Sequence, residues 1–100
     1  MKKLIYFTLG NSVEVLSSFE DEYLDLVYID GDHSYNGVKN DLNISYKKVK
    51  TGGYICGHDY SPDIFDGVVK AVDEFCKQKK LKINYITEDG CPTYCINKKV

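Results

Sequence analysis

A chain of 100 residues with 43% hydrophobic side chains has room for one domain with a small core, residues 1–100. Its formal net charge of −2 gives no general electrostatic footprint for nucleic acid. No apolar run is long enough to span a bilayer, which argues against a membrane partner.

Leu4 to Leu9 is apolar and aromatic and reads as a strand, broken by Gly10-Asn11-Ser12. Ser12 can cap a helix running to about Glu22, with Val13, Leu16 and Phe19 on one face. The acidic run Glu20-Asp21-Glu22 sits at the unfavourable end of the helix dipole and is expected as loop. Leu26 to Ile29 is a short run of β-branched and aromatic residues, the pattern of a parallel strand covered on both faces. It stops at Asp30, Gly31, Asp32 and His33. Ser34 is the expected N-cap of the next helix, with Tyr35, Val38, Leu42, Tyr46 and Val49 as its buried stripe. Asp41 is expected to be exposed or locally bonded. Lys47, Lys48 and Lys50 complement the dipole in the last turn, and Gly52-Gly53 stops the helix.

Tyr54 to Gly57 is a second strand, ending in His58-Asp59-Tyr60. Ser61-Pro62-Asp63 is a turn, and Asp66 is the expected cap of a helix with Val68, Ala71, Val72, Phe75 and Cys76 on its apolar face. Lys77, Lys79 and Lys80 lie near that helix's end. Lys82 to Thr87 and Thr93 to Asn97 form a terminal hairpin around a loop at 88–92. The order β-α-β-α-β-α-β-β predicts an α/β fold: a Rossmann-like three-layer sandwich with a mostly parallel sheet and a C-terminal antiparallel hairpin.

The four cysteines, Cys56, Cys76, Cys91 and Cys95, do not read as a disulfide framework. The first ten residues lack a cleavage pattern, so a reducing, cytoplasmic compartment is expected. A zinc site from Cys56, His58, Cys91 and Cys95 is disfavoured by strand alternation. Small core residues are the better reading.

Ligands of open α/β sheets bind beyond the carboxyl ends of the strands. Adjacent parallel strands lie ~4.8 Å apart. If the two central strands are neighbours, Asp30 and Asp59 face one small volume, with His33 and His58 beside them. The bland reading is two polar turns, with Asp32 or Ser34 capping a helix and Asp59 capping a loop. Two polar clusters at successive strand ends favour a site.

The segments Asp25-Leu-Val-Tyr-Ile-Asp-Gly-Asp-His-Ser-Tyr-Asn-Gly-Val-Lys-Asn-Asp41, Gly52-Gly53, Gly57-His58-Asp59-Tyr60 and Gly67-Val-Val-Lys-Ala-Val72 resemble the C-terminal half of class I S-adenosylmethionine-dependent methyltransferases. The group with an Ile-Asp-Gly-Asp-His-Ser-Tyr signature is the most similar. The resemblance implies methyl transfer from S-adenosylmethionine, with oxygen of a small molecule or sugar as acceptor. It implies cofactor contacts from Asn11, Ser12, Asp30 and Asp32, with Asn11 standing where the family often has aspartate. A magnesium ion would be held by Asp30, His58 and Asp59, although imidazole is a poor magnesium ligand. Asp30, His33 and His58 are the catalytic candidates, either imidazole being of the residue type that serves as a base near neutral pH.

The family's N-terminal half, with its glycine-rich turn and ribose-binding acid, has no counterpart in these residues. In the family sheet, strands one and two separate strand three from strand four. Here the first strand must move beside the central one, stay loosely attached or pair with another chain. A homo-oligomer, or an N-terminal half on another chain, is therefore expected. Activity of the isolated chain is not. Two other readings remain open. One is a truncated, non-catalytic remnant or assembly module. The other is a glycosyltransferase fragment using Asp30-Gly31-Asp32 as an Asp-x-Asp motif, which leaves the His58-Asp59 cluster unexplained.

Overall fold

The alternating strand and helix patterns produce one five-stranded sheet. The computed structural model describes residues 4–7, 16–29, 34–58, 60, 66–87 and 92–98. The elements are β1 (Leu4–Phe7), β2 (Leu24–Ile29), α1 (Tyr35–Lys48), β3 (Val49–Gly57), α2 (Asp66–Lys79), β4 (Ile83–Ile86) and β5 (Tyr94–Asn97). The strand order is β1-β2-β3-β5-β4. β1, β2 and β3 run parallel, and β5 lies antiparallel between β3 and β4. This is the expected Rossmann-like α/β sheet with its terminal hairpin.

The first strand takes one of the three courses open to it. β1 pairs directly with β2, Leu4 opposite Leu26 and Phe7 opposite Ile29. It therefore occupies the edge of β2 away from β3.

Side chains alternate across a strand, and the register lines up two faces. Val27, Ile55 and Ile96 are opposite one another and fully buried. They join Val38 and Leu42 of α1 and Val68, Val72 and Phe75 of α2 in one core. Leu26, Tyr28, Tyr54, Cys56 and Cys95 alternate with these residues on the other face. Tyr35 of α1 donates through its hydroxyl to Glu74 of α2, and Tyr46 meets Phe75 edge to face, with ring centroids 5.7 Å apart.

Two boundaries and the exposure of one side chain differ from the sequence reading. The first predicted helix was expected to reach about Glu22, but Leu16 is its last helical residue and turns follow. Ser17 and Ser18 are weak helix formers, and Glu22 adopts a left-handed φ of 59°. The start of that helix lies outside the described residues. The second predicted helix stops at Lys48, not at Gly52, because Val49 is already extended and is buried opposite Leu24 in β3. A β-branched residue favours that state. Asp41, expected to be exposed or locally bonded, is buried at 4% exposure and takes part in a polar interaction.

The C-terminus of α1 has its carbonyls fully provided for. The Val49 N–H donates to Ser45 O. The Lys98 ammonium donates to Tyr46 O at 2.6 Å, and the N–H groups of Glu22 and Tyr23 donate to Lys47 O and Lys48 O, each at 2.9 Å. These are the last four acceptors that a helix leaves unpaired. Lys48 reaches back to Phe19 O and Asp21.

At the other end, Ser34 is the N-cap as expected, its Oγ accepting from Gly37 N at 3.1 Å. Ser34→Ala is expected to lower the unfolding free energy by about 1 kcal/mol, read from the urea midpoint. An unchanged midpoint would remove the cap from the account. Among the described residues no helix is long and apolar enough to cross a membrane.

Candidate functional site

The register brings the exits of three parallel strands to one edge of the sheet. Phe7, Ile29 and Gly57 are aligned, and β5 begins at the same edge with Tyr94 opposite Gly57. The parallel ladder continues one residue past β3, since His58 N–H donates to Ile29 O at 3.1 Å. His58 is thereby fixed beside the last residue of β2, and Asp30 is the next residue along the chain.

Three side chains converge there. Tyr28 Oη lies 3.2 Å from His58 Nδ1 and 3.4 Å from Thr93 Oγ1. His58 Nδ1 lies 3.4 Å from Thr93 Oγ1. The Tyr28 and His58 rings are tilted, with centroids 6.4 Å apart. Each partner comes from a different strand end. Thr93 is held in place by exchange with Thr87: its N–H donates to Thr87 Oγ1 at 2.8 Å, and Thr87 N–H donates to Thr93 O at 3.0 Å. Two hydroxyls around one ring nitrogen restrict the imidazole's rotation, and each can donate to or accept from it as the tautomer requires.

Below this group, Tyr94 is almost fully buried and packs edge to face on Tyr60. Gly57 leaves room for its phenol ring. Tyr60 N–H donates to Pro92 O at 2.9 Å, and its hydroxyl donates to Asp73 at 2.7 Å. Burial, followed by that carboxylate acceptor, raises the Tyr60 phenol well above its ordinary value. Both tyrosines therefore stay neutral, as wall and support for the edge.

His58 is the sequence-derived candidate that the described residues include. Asn11, Ser12, Asp30, Asp32, His33 and Asp59 lie outside them. Among the described residues no cluster of three or more His, Cys, Asp or Glu is gathered to hold a metal. Tyr28 and Thr93 are members of the site that the sequence reading missed. Tyr28 was legible only as part of an apolar strand, and Thr93 only as the start of a hairpin return. The available signal was a polar-tipped aromatic on the penultimate residue of a strand that ends in a polar cluster.

A family model described as a methyltransferase domain matches residues 1–60. An uncharacterized protein of Acanthamoeba polyphaga mimivirus is 46% identical over 54 residues, which is 49% of this chain and 24% of that protein. Among solved structures, the O-methyltransferase NovP superposes with a TM-score of 0.63 at 21% identity, covering 85% of this chain and 35% of that one. A protein described as an rRNA methylase, from Clostridium thermocellum, gives 0.64 at 20% identity, covering 89% and 54%. The N-methyltransferase NodS from Bradyrhizobium japonicum WM9 gives 0.55 at 13% identity, covering 86% and 57%. At such identities the structural likeness is one of fold. The chain spans about a quarter of the curated relative and between about a third and somewhat over half of these structures.

Proposed function

This chain belongs to the class I methyltransferase-domain family, and on that premise we propose that it forms the C-terminal half of an S-adenosylmethionine-dependent methyltransferase acting on oxygen of a small molecule or sugar. The convergence of Tyr28, His58 and Thr93 at the carboxyl edge of the parallel strands carries the reading. S-adenosylmethionine supplies an activated methyl group on a sulfonium sulfur. The residues of this chain have to place an acceptor hydroxyl in line and take up its proton.

His58 is the proton acceptor in this reading; His33 and Asp30 remain catalytic candidates from the sequence alone. Its Nδ1 is engaged by Tyr28 and Thr93, so proton exchange with the acceptor falls to the other ring nitrogen. That arrangement supports a base in preference to a magnesium ligand, the role for which imidazole is in any case poorly suited. Were magnesium bound, Asp30 and Asp59 would supply the oxygen donors it prefers. Asn11, Ser12, Asp30 and Asp32 are the cofactor contacts. The share of each relative that the chain spans supports a catalytic unit that needs more polypeptide than these residues, and a homo-oligomer is one way to supply it. We place that unit in the cytoplasm.

Calorimetric titration with S-adenosylmethionine, with and without magnesium, is expected to give weak saturable binding to the chain that does not depend on the metal. In the assembly that transfers methyl groups, His58→Ala is expected to lower turnover on the order of 10²-fold or more and to leave cofactor affinity unchanged. Equal turnover would remove His58 as the base, and parallel loss of affinity would move it into the cofactor pocket.

A further inference from the structure

Two thiols stand directly opposite each other on adjacent strands. Cys56 of β3 is the register partner of Cys95 of β5, and their sulfurs are 2.8 Å apart. Directly opposed residues of antiparallel strands have Cα separations of about 4.5 or 5.5 Å, and both fall inside the range that a disulfide bridges. The side chains already aim at each other, so bridging requires no shift of register. Both lie on the sheet face opposite the Val27–Ile55–Ile96 core. Cys56 is buried at 5% exposure, whereas Cys95 is part-exposed.

We propose that Cys56 and Cys95 form a reversible oxidation site that takes a small-molecule disulfide of the glutathione class. The exchange proceeds in two steps. The Cys95 thiolate attacks one sulfur of the small disulfide, whose S–S bond breaks, and one small thiol leaves with the proton that Cys95 gave up. The Cys56 sulfur then attacks the Cys95 sulfur of the mixed disulfide and expels the second small thiol, which takes the Cys56 proton. Two protein thiols are oxidised, and one disulfide is reduced to two thiols.

The order of attack follows from access. Cys95 meets solvent, while burial holds the Cys56 thiol protonated and makes it a poor first nucleophile. Cys76 serves as an internal contrast. It is buried on α2, burial raises its thiol to about 11, and no cysteine sulfur of the described residues faces it. The bridge would also bear on the edge described above. Cys56 lies two residues before His58, Cys95 two residues after Thr93, and Tyr28 is the register partner of Cys56. The crosslink would tie together the two strands that carry His58 and Thr93.

The test is equilibration of the folded chain, with Cys91→Ser, across a series of reduced and oxidised glutathione ratios. Alkylation and peptide mass mapping then locate the remaining thiols. Cys56 and Cys95 are expected to lose their thiols together, as one crosslinked peptide pair, with return of both on reduction and Cys76 still alkylatable after denaturation. In a second chain carrying Cys95→Ser, Cys56 is expected to keep its thiol at every ratio. Retention of both thiols at the most oxidising ratio would overturn the proposal. So would a persistent mixed disulfide at Cys95 beside a free Cys56, or a crosslink that forms only in urea.

Discussion

Gly57→Ala is expected to destabilise the fold by about 3 kcal/mol, a large share of the stability of a domain this size. Gly57 ends β3 directly opposite Tyr94. A Cβ at position 57 would fall on the Tyr94 phenol, closer than side chains approach each other in folded proteins. The ring has little room to retreat. Tyr94 is 1% exposed, belongs to the core formed by both helices, and rests edge to face on Tyr60 with centroids 6.0 Å apart. Relief therefore requires β3 and β5 to separate where His58 and Thr93 emerge. Urea unfolding of Gly57→Ala, of Tyr94→Ala and of the double variant gives the check. The double variant is expected to be more stable than the sum of the two losses predicts, because the truncated ring frees the space that the new methyl needs. Strict additivity would show that the clash is not the cause.

Lys98→Met is expected to cost about 3 kcal/mol. The Lys98 ammonium is buried. It donates to Tyr46 O at 2.6 Å, to Val49 O at 2.8 Å and to Glu22 Oε2 at 2.8 Å, and lies 4.5 Å from the Tyr46 ring centroid. Methionine can replace the stem and none of the donors. Two carbonyls at the end of α1 would then lose this donor. The same contact contributes to the acid limb of stability, beside the Lys48–Asp21 pair, whose carboxyl is also held low. The Lys98 bond first, and then the Thr51 N–H, hold the Glu22 carboxyl below its ordinary value of 4.5. A depressed folded value means that this contribution is complete above the unfolded value and is lost as pH falls through the folded one. The urea midpoint is therefore expected to stay level down to about pH 5 and to fall below about pH 4.5, with a shallower fall in Lys98→Met. An equal fall in both proteins would detach Glu22 from the acid limb.

The element order was legible because each strand or helix carried its own period. Val68, Ala71, Val72, Phe75 and Cys76 form the buried face of α2 as their spacing required, and Ser34 caps α1. What depends on tertiary pairing was not legible. Local pattern carries Val49 as readily into a helical stripe as into a strand, and its burial opposite Leu24 decides between them. The place of β1 was an open question, because an apolar run does not specify its neighbour, and β2 supplies one. For Asp41 the sequence left exposure and local bonding open, and only exposure is excluded, since its burial depends on how α1 packs.

The same division holds at the site. A polar edge at the ends of β2 and β3 follows from strands that stop at charged residues. The inclusion of Thr93 follows only from β5 inserting next to β3. The facing of Cys56 and Cys95 has the same origin, since a hairpin's register against a third strand leaves no mark in either segment alone.

We propose that the carboxyl edge of β1, β2 and β3 is the methyl-transfer edge. The most direct test is a nuclear magnetic resonance titration of the folded chain with S-adenosylmethionine. The expected result is a saturable set of shifts at backbone amides next to that edge, Ile29, His58, Tyr60 and Thr93 among them, with Leu24, Lys47 and Lys98 at the opposite end unmoved. A folded chain whose shifts stay unchanged to saturating cofactor, or move only at the opposite end, would contradict the account.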